Sequence, residues 1–134
     1  MYGRWIGERY RDDPVIWILG GDRNPEGPEH LAVVRAMAAG IREAVGDRQL
    51  ITYHPQGGSA SQQWFHGDDW LDFNMFQSGH GAPDNPNYRM VEEGYRLAPV
   101  KPVLDGEPRY EDHPVNWRAE LGWFNDFDVR QAAY

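Results

Sequence analysis

Cysteine is absent from the 134 residues, which excludes a disulfide framework, a thiolate metal site and a cysteine nucleophile. Lysine is nearly absent too: Lys101 is the one lysine among 13 basic side chains, and 21 acidic ones bring the net charge to −8. A nucleic-acid surface needs a clustered cationic face, so nucleic acid is not an expected partner. No apolar run approaches the roughly 18 residues that span a membrane, and the opening MYGRWIGERYRDD lacks the apolar centre of a signal peptide. What the chain does have is 40% apolar residues with 6 Trp, 7 Tyr and 5 Phe, the composition of a folded domain. Its length allows one ordinary domain.

Four short apolar runs punctuate the sequence, at 15–19 (VIWIL), 50–53 (LITY), 70–76 (WLDFNMF) and 102–104 (PVL). The first two are nearly continuous and β-branched or aromatic, the pattern of strands covered on both faces. Between them, Val34, Met37, Ala38, Ile41 and Val45 fall three or four apart, which predicts a helix from Pro28 to a stop at Gly46. A second helix is predicted with Asn85 as its cap and Pro86 as its first position, Tyr88, Val91 and Tyr95 on its packed face and Pro99 at its end. Residues 57–69 read as loop with at most one helical turn. The opening residues resemble the end of a helix, and Asp128 is placed to cap a last helix over 127–134.

Strand, helix, strand in alternation predicts an α/β fold with a parallel sheet, either open and doubly wound or closed into an eight-stranded barrel. Four parallel strands alone leave two bare edges, which favours a barrel segment. A whole barrel takes about 250 residues.

In both architectures ligand groups gather where strands end, and here every strand runs into a polar cluster: Gly20-Gly21-Asp22-Arg23-Asn24, His54-Pro55-Gln56-Gly57-Gly58, Gln77-Ser78-Gly79-His80-Gly81 and Asp105-Gly106-Glu107-Pro108-Arg109-Tyr110-Glu111. Asp22 and Glu107 each follow a strand behind glycine. Two carboxylates converging across a barrel mouth are the minimum for cleaving a glycosidic bond, one holding a proton for the leaving oxygen and the other attacking carbon or activating water. The plainer alternative is that Asp22 caps a turn and pairs with Arg23 or Arg109, while Glu107 is a salt-bridged barrel residue. The histidine spacing matches no metal-binding pattern, so neither a metal nor another cofactor is expected. His30, His66 and His113 read as solvated or locally hydrogen-bonded, and Arg109 and Glu111 as supports of Glu107. Trp17, Tyr53 and Phe73 read as core, whereas Trp64, Phe65, Trp70, Trp117 and Trp123 flank polar loops and either stack on sugar or pack the loops.

The strings VIWILGGDRNP, ITYHPQGGSASQQWFHGDDWLDFNMFQSGH, NYRMVEEGYRLAPVKPVLDGEPRYEDHP and DVRQAAY resemble consecutive segments of the apiosidase-like glycoside hydrolases, bacterial (β/α)-barrel enzymes. The resemblance covers essentially the whole chain. It implies a single partial TIM (β/α)8-barrel domain over residues 1–134, strands four to seven, with strands one to three and eight absent. It also implies a retaining exo-glycosidase acting on pectic plant cell-wall polysaccharide, as in the family's release of D-apiose. The family's GGD acid/base matches Asp22 and its DGE nucleophile matches Glu107. Asn24, His54, Gln77, His80 and Arg109 would orient an oligosaccharide or polysaccharide. A periplasmic or extracellular setting is implied for the full-length protein, and four of eight loops alone are not expected to turn over substrate. Two alternatives are a non-catalytic carbohydrate-binding or scaffold barrel and a metal-dependent hydrolase of doubly wound fold.

Overall fold

A computed structural model describes residues 2–133. Helix α1 (Tyr2–Arg9) leads into strand β1 (Trp17–Gly20), helix α2 (Pro28–Val45), strand β2 (Ile51–His54), the one-turn helix α3 (Gln62–Phe65), strand β3 (Asn74–Phe76), helix α4 (Asn87–Tyr95), strand β4 (Val103–Asp105) and, after short 3-10 turns, helix α5 (Asp126–Ala133). Tyr134, the last residue of the expected terminal helix, lies outside the described residues. All the ladders are parallel: β1 pairs with β2 in the register Trp17 to Ile51, and β3 with β4 in the register Asn74 to Val103. Strands β2 and β3 stand side by side without a ladder. They are joined instead by Asp72 N–H to Ile51 O (2.9 Å), Ile51 N–H to Asp72 Oδ2 (2.6 Å) and Thr52 Oγ1 to Phe73 O (2.7 Å).

That junction explains why the third strand is shorter than the 70–76 run. Leu71 N–H turns back to Asp68 O, and the Asp72 carboxylate is occupied by the Ile51 amide and the Arg42 guanidinium. Extended pairing therefore begins only at Asn74. Pro102 offers its carbonyl to Asn74 N–H but has no N–H of its own to donate.

Helix α2 has the predicted bounds, with Pro28 in its first turn and Gly46 at its C-cap at φ 60°, a conformation glycine reaches without penalty. The predicted face is the packed one: Ala38, Ile41 and Val45 are buried with Ile51, against Trp17, Leu19 and Met37. A second cluster of Tyr53, Phe65 and Leu71 continues this layer beneath the loops, each large side chain contributing about 1.5–3 kcal/mol by leaving water. Helix α1 lies directly on α2, because the two approach through glycines. A Cβ at Gly3 would come within 2.3 Å of Met37 O, and one at Gly40 within 2.7 Å of Arg4 N.

Four expectations are corrected here. Strand β1 is covered on one face only: Trp17 and Leu19 meet α2, while Ile18 on the opposite face is 52% exposed, as is Leu104 of β4 at 49%. On α4, the Tyr88, Val91 and Tyr95 face is exposed. That helix packs through Gly94 instead, whose missing side chain lets Val103 and Gln62 close in. Asn85 does not cap α4, since its side chain donates to Ser78 O (2.6 Å). At α5, Asn125 is the cap and Asp128 its reciprocal partner: Asn125 Oδ1 accepts from Phe127 and Asp128 N–H, and Asp128 Oδ2 accepts from Asn125 N–H.

Candidate active site

Each strand delivers its following loop to one end of the sheet, and the glycines there have stereochemical reasons. Gly20 (φ 82°), Gly21 (φ 134°) and Asp22 (φ 53°) form three successive left-handed positions, which swing the chain off β1 within a single turn. A Cβ at Gly20 would meet the Tyr53 ring at 2.7 Å, and one at Gly106 would meet Met75 Sδ at 2.6 Å. The GGD and DGE strings are thus the local solutions for bringing a carboxylate tightly over the strand ends.

His54 connects the two motifs. Its Nδ1 accepts the Asp22 N–H (3.0 Å) and its Nε2 faces Glu107 Oε2 at 3.3 Å. A ring nitrogen that accepts carries no proton, so Nε2 is the protonated nitrogen, and it is the one that faces Glu107. His80 Nε2 reaches the other oxygen, Glu107 Oε1, at 3.1 Å. Close by, the Tyr110 phenol has its pKa pushed up to about 12, first by burial and then by its interaction with Glu107 and the charge of Asp22. Glu107 is held from several sides at once, and Asp22 lies close enough for its charge to be felt at the same phenol.

The loops are stitched to one another. Gly106 N–H donates to Phe76 O and Gly79 N–H to Glu107 O. Asp105 takes both the Ser78 amide (3.2 Å) and hydroxyl (2.6 Å). Around His80, which is 2% exposed, lie the Tyr110, His113 and Trp117 rings, with centroids at 4.2, 4.7 and 5.5 Å. A pocket of about 330 Å³ opens beside this cluster, bounded by Asp22, Gln56, Gln77, His80 and Trp117 over a floor of glycines.

The structure therefore brings together Asp22, His54, Gln77, His80 and Glu107. Asn24 serves the loops instead, since its side chain donates to Ser59 Oγ (2.9 Å) and accepts from Gln56 N–H (3.0 Å), clasping the segments after β1 and β2. Arg109 is buried, with its guanidinium on Pro83 O and Gln131 Oε1, so it braces the loop before α4 against α5. Glu107 is supported by His54, His80 and Tyr110. Arg23 pairs with Glu26 (2.8 Å), and among the described residues the Asp22 carboxylate has no ion-pair partner.

His113, expected to be solvated or locally hydrogen-bonded, is half-buried against the His80 ring. Phe65 is fully buried core and Trp64 and Trp70 are half-buried, while Trp117 and Trp123 stay exposed. Tyr110 was legible only as the third residue after Glu107, and His113 and Trp117 had no signal beyond their loop.

Because its pKa is raised, Tyr110 remains a neutral donor throughout the working pH range. The stabilisation tied to its protonated form is complete below pH 10 and disappears as pH rises toward about 12. Spectrophotometric titration of the intact protein is expected to show a tyrosine transition near pH 12 that Tyr110→Phe removes; an unchanged titration curve would exclude a raised pKa at Tyr110.

Parallel strands joined by crossover helices, with polar loops gathered at one end of the strands, have the build of a (β/α)-barrel segment. The sequence pattern described as "Apiosidase-like, catalytic domain" matches residues 1–134, and the chain belongs to that family. A solved glycoside hydrolase family 5 structure from Bacteroides vulgatus superposes with a TM-score of 0.89 at 39% identity, covering 99% of this chain and 31% of its own. A second solved structure, described as a glycoside hydrolase, has a TM-score of 0.85 at 39% identity, with 99% of this chain and 33% of that one covered. The chain thus spans about a third of the length of these solved relatives. No curated protein matches it. Among the described residues, no helix is long and apolar enough to cross a membrane.

Proposed function

We propose that the chain carries the catalytic pair of a retaining glycosidase, with Asp22 as acid/base and Glu107 as nucleophile. The observation that supports this most directly is the single His54 ring, which holds the Asp22 backbone with one nitrogen and the Glu107 carboxylate with the other. Glu107, hydrogen-bonded by His80 and faced by His54, is aimed to attack the anomeric carbon and form a glycosyl ester. Asp22, on the exposed side and free of any ion-pair partner among the described residues, protonates the departing oxygen. It then takes a proton from the water that cleaves the ester. Gln77 and His80 bound the pocket where sugar hydroxyls find partners.

Family membership supports a pectic plant cell-wall substrate, D-apiose release and exo action as the finer reading. In this reading the four strands are strands four to seven of the barrel, whose other loops complete the site. Retention requires the two carboxyl groups to stand about 5–5.5 Å apart, whereas inversion needs roughly 6.5–9.5 Å. Proton NMR of the intact protein acting on a D-apiose-containing pectic oligosaccharide should show the product first with the anomeric configuration of the substrate. First appearance of the opposite anomer would overturn the nucleophile assignment and leave Glu107 as a base.

A further inference from the structure

Trp117 is presented in an uncommon way. Asn116 (φ 51°) and Trp117 (φ 58°) are consecutive left-handed residues, a conformation that a bulky side chain rarely adopts. The surroundings impose it: Asn116 N–H donates to His80 O (2.8 Å) and Trp117 N–H to Pro114 O (3.1 Å). The indole packs edge-on with His80 and His113 at 5.5 and 5.4 Å, yet remains 67% exposed and bounds the 330 Å³ pocket. Gln77, which also lines that pocket, is 4% exposed, and among the described residues its buried Oε1 has no hydrogen-bond partner. Buried acceptors are ordinarily satisfied, so a ligand hydroxyl has a vacant partner there. The low floor of Gly57, Gly58, Gly79 and Gly81 leaves room for a ring to settle.

We propose that Trp117 and Gln77 form a sugar subsite on the leaving-group side of the scissile bond. The ligand class follows from the two walls: a sugar ring offers one apolar C–H face to an indole and hydroxyl donors along its edge to an amide carbonyl. Its side of the bond follows from the lining, in which Asp22 takes part and Glu107 does not. With Asp22 and Glu107 in the roles proposed above, the ring held beside the proton donor is the one that departs. The bond cleaved then joins two sugars, and Trp117 is a substrate-binding residue for the second of them.

The test compares Trp117→Ala and Trp117→Phe in the intact protein on a D-apiose-containing pectic oligosaccharide and on apiosyl fluoride, whose leaving group has no ring. Trp117→Ala should lower kcat/KM on the oligosaccharide by about tenfold to a hundredfold and change turnover of the fluoride less than about twofold. Trp117→Phe should recover most of the loss. An equal loss on both substrates, or none on either, overturns the subsite. A second measurement needs no turnover: in Glu107→Gln protein labelled at its 6 tryptophans, the indole N–H resonance that Trp117→Phe removes should shift when the oligosaccharide is added. A stationary Trp117 resonance overturns the subsite as well. If that resonance moves while the unmodified protein turns over neither substrate, the sugar subsite stands and the catalytic reading falls.

Discussion

Replacing Glu107 by glutamine is expected to lower kcat by more than about a thousandfold in the intact protein, while binding of a pectic oligosaccharide remains measurable. The amide keeps the carboxylate's shape but cannot form the glycosyl ester. The local hydrogen bonds show why binding should survive. Glutamine presents one carbonyl and one NH2 where Glu107 presents two acceptors. His54 cannot easily change tautomer, because its Nδ1 accepts the Asp22 N–H, so the carbonyl will turn to His54 and the NH2 to His80. His80 can accommodate this by moving its proton to Nδ1, which has no hydrogen-bond partner among the described residues. Glu107→Gly offers a sharper diagnosis: azide admitted into the vacated space should attack an activated substrate directly and give a glycosyl azide of inverted configuration. Unchanged rates for Glu107→Gln on an authentic substrate would refute the assignment.

The parts of this arrangement that could be read in the sequence are those fixed by local rules. The face of α2 follows from residues three and four apart, and its bounds from Pro28 and Gly46. The one turn of α3 fits the polar loop, and the placing of Asp22 and Glu107 follows from glycines that let a strand end turn sharply. What was not legible depends on partners distant in the chain. The apolar stripe of α4 looked like a packing face, yet Gly94, with no side chain to register in any pattern, makes the close contact. Arg109 lies two residues from Glu107, but its guanidinium turns to Pro83 and α5. His113 and Trp117 enter the site through a loop that Asn116 ties to His80, a bond with no sequence periodicity behind it.

Asp22→Asn is expected to separate substrates by leaving group. On a sugar leaving group, which departs only when protonated, the loss should be about 10²–10⁴-fold; on a dinitrophenyl glycoside the first step should proceed nearly unimpaired. The choice of asparagine matters, because Asp22 sits at φ 53°, and asparagine tolerates that left-handed position better than other non-glycine residues. Its backbone N–H will continue to hold His54 Nδ1, so the ring facing Glu107 stays in place and the change is confined to proton transfer. The same carboxylate serves as base for the second step, so the variant should accumulate glycosyl-enzyme on the activated substrate. A pre-steady-state burst of dinitrophenolate should appear, and azide should accelerate the slow phase that follows by supplying a nucleophile that needs no base. Equal losses on sugar and dinitrophenyl leaving groups, with no burst and no response to azide, would remove Asp22 from the acid/base role while leaving Glu107 untouched.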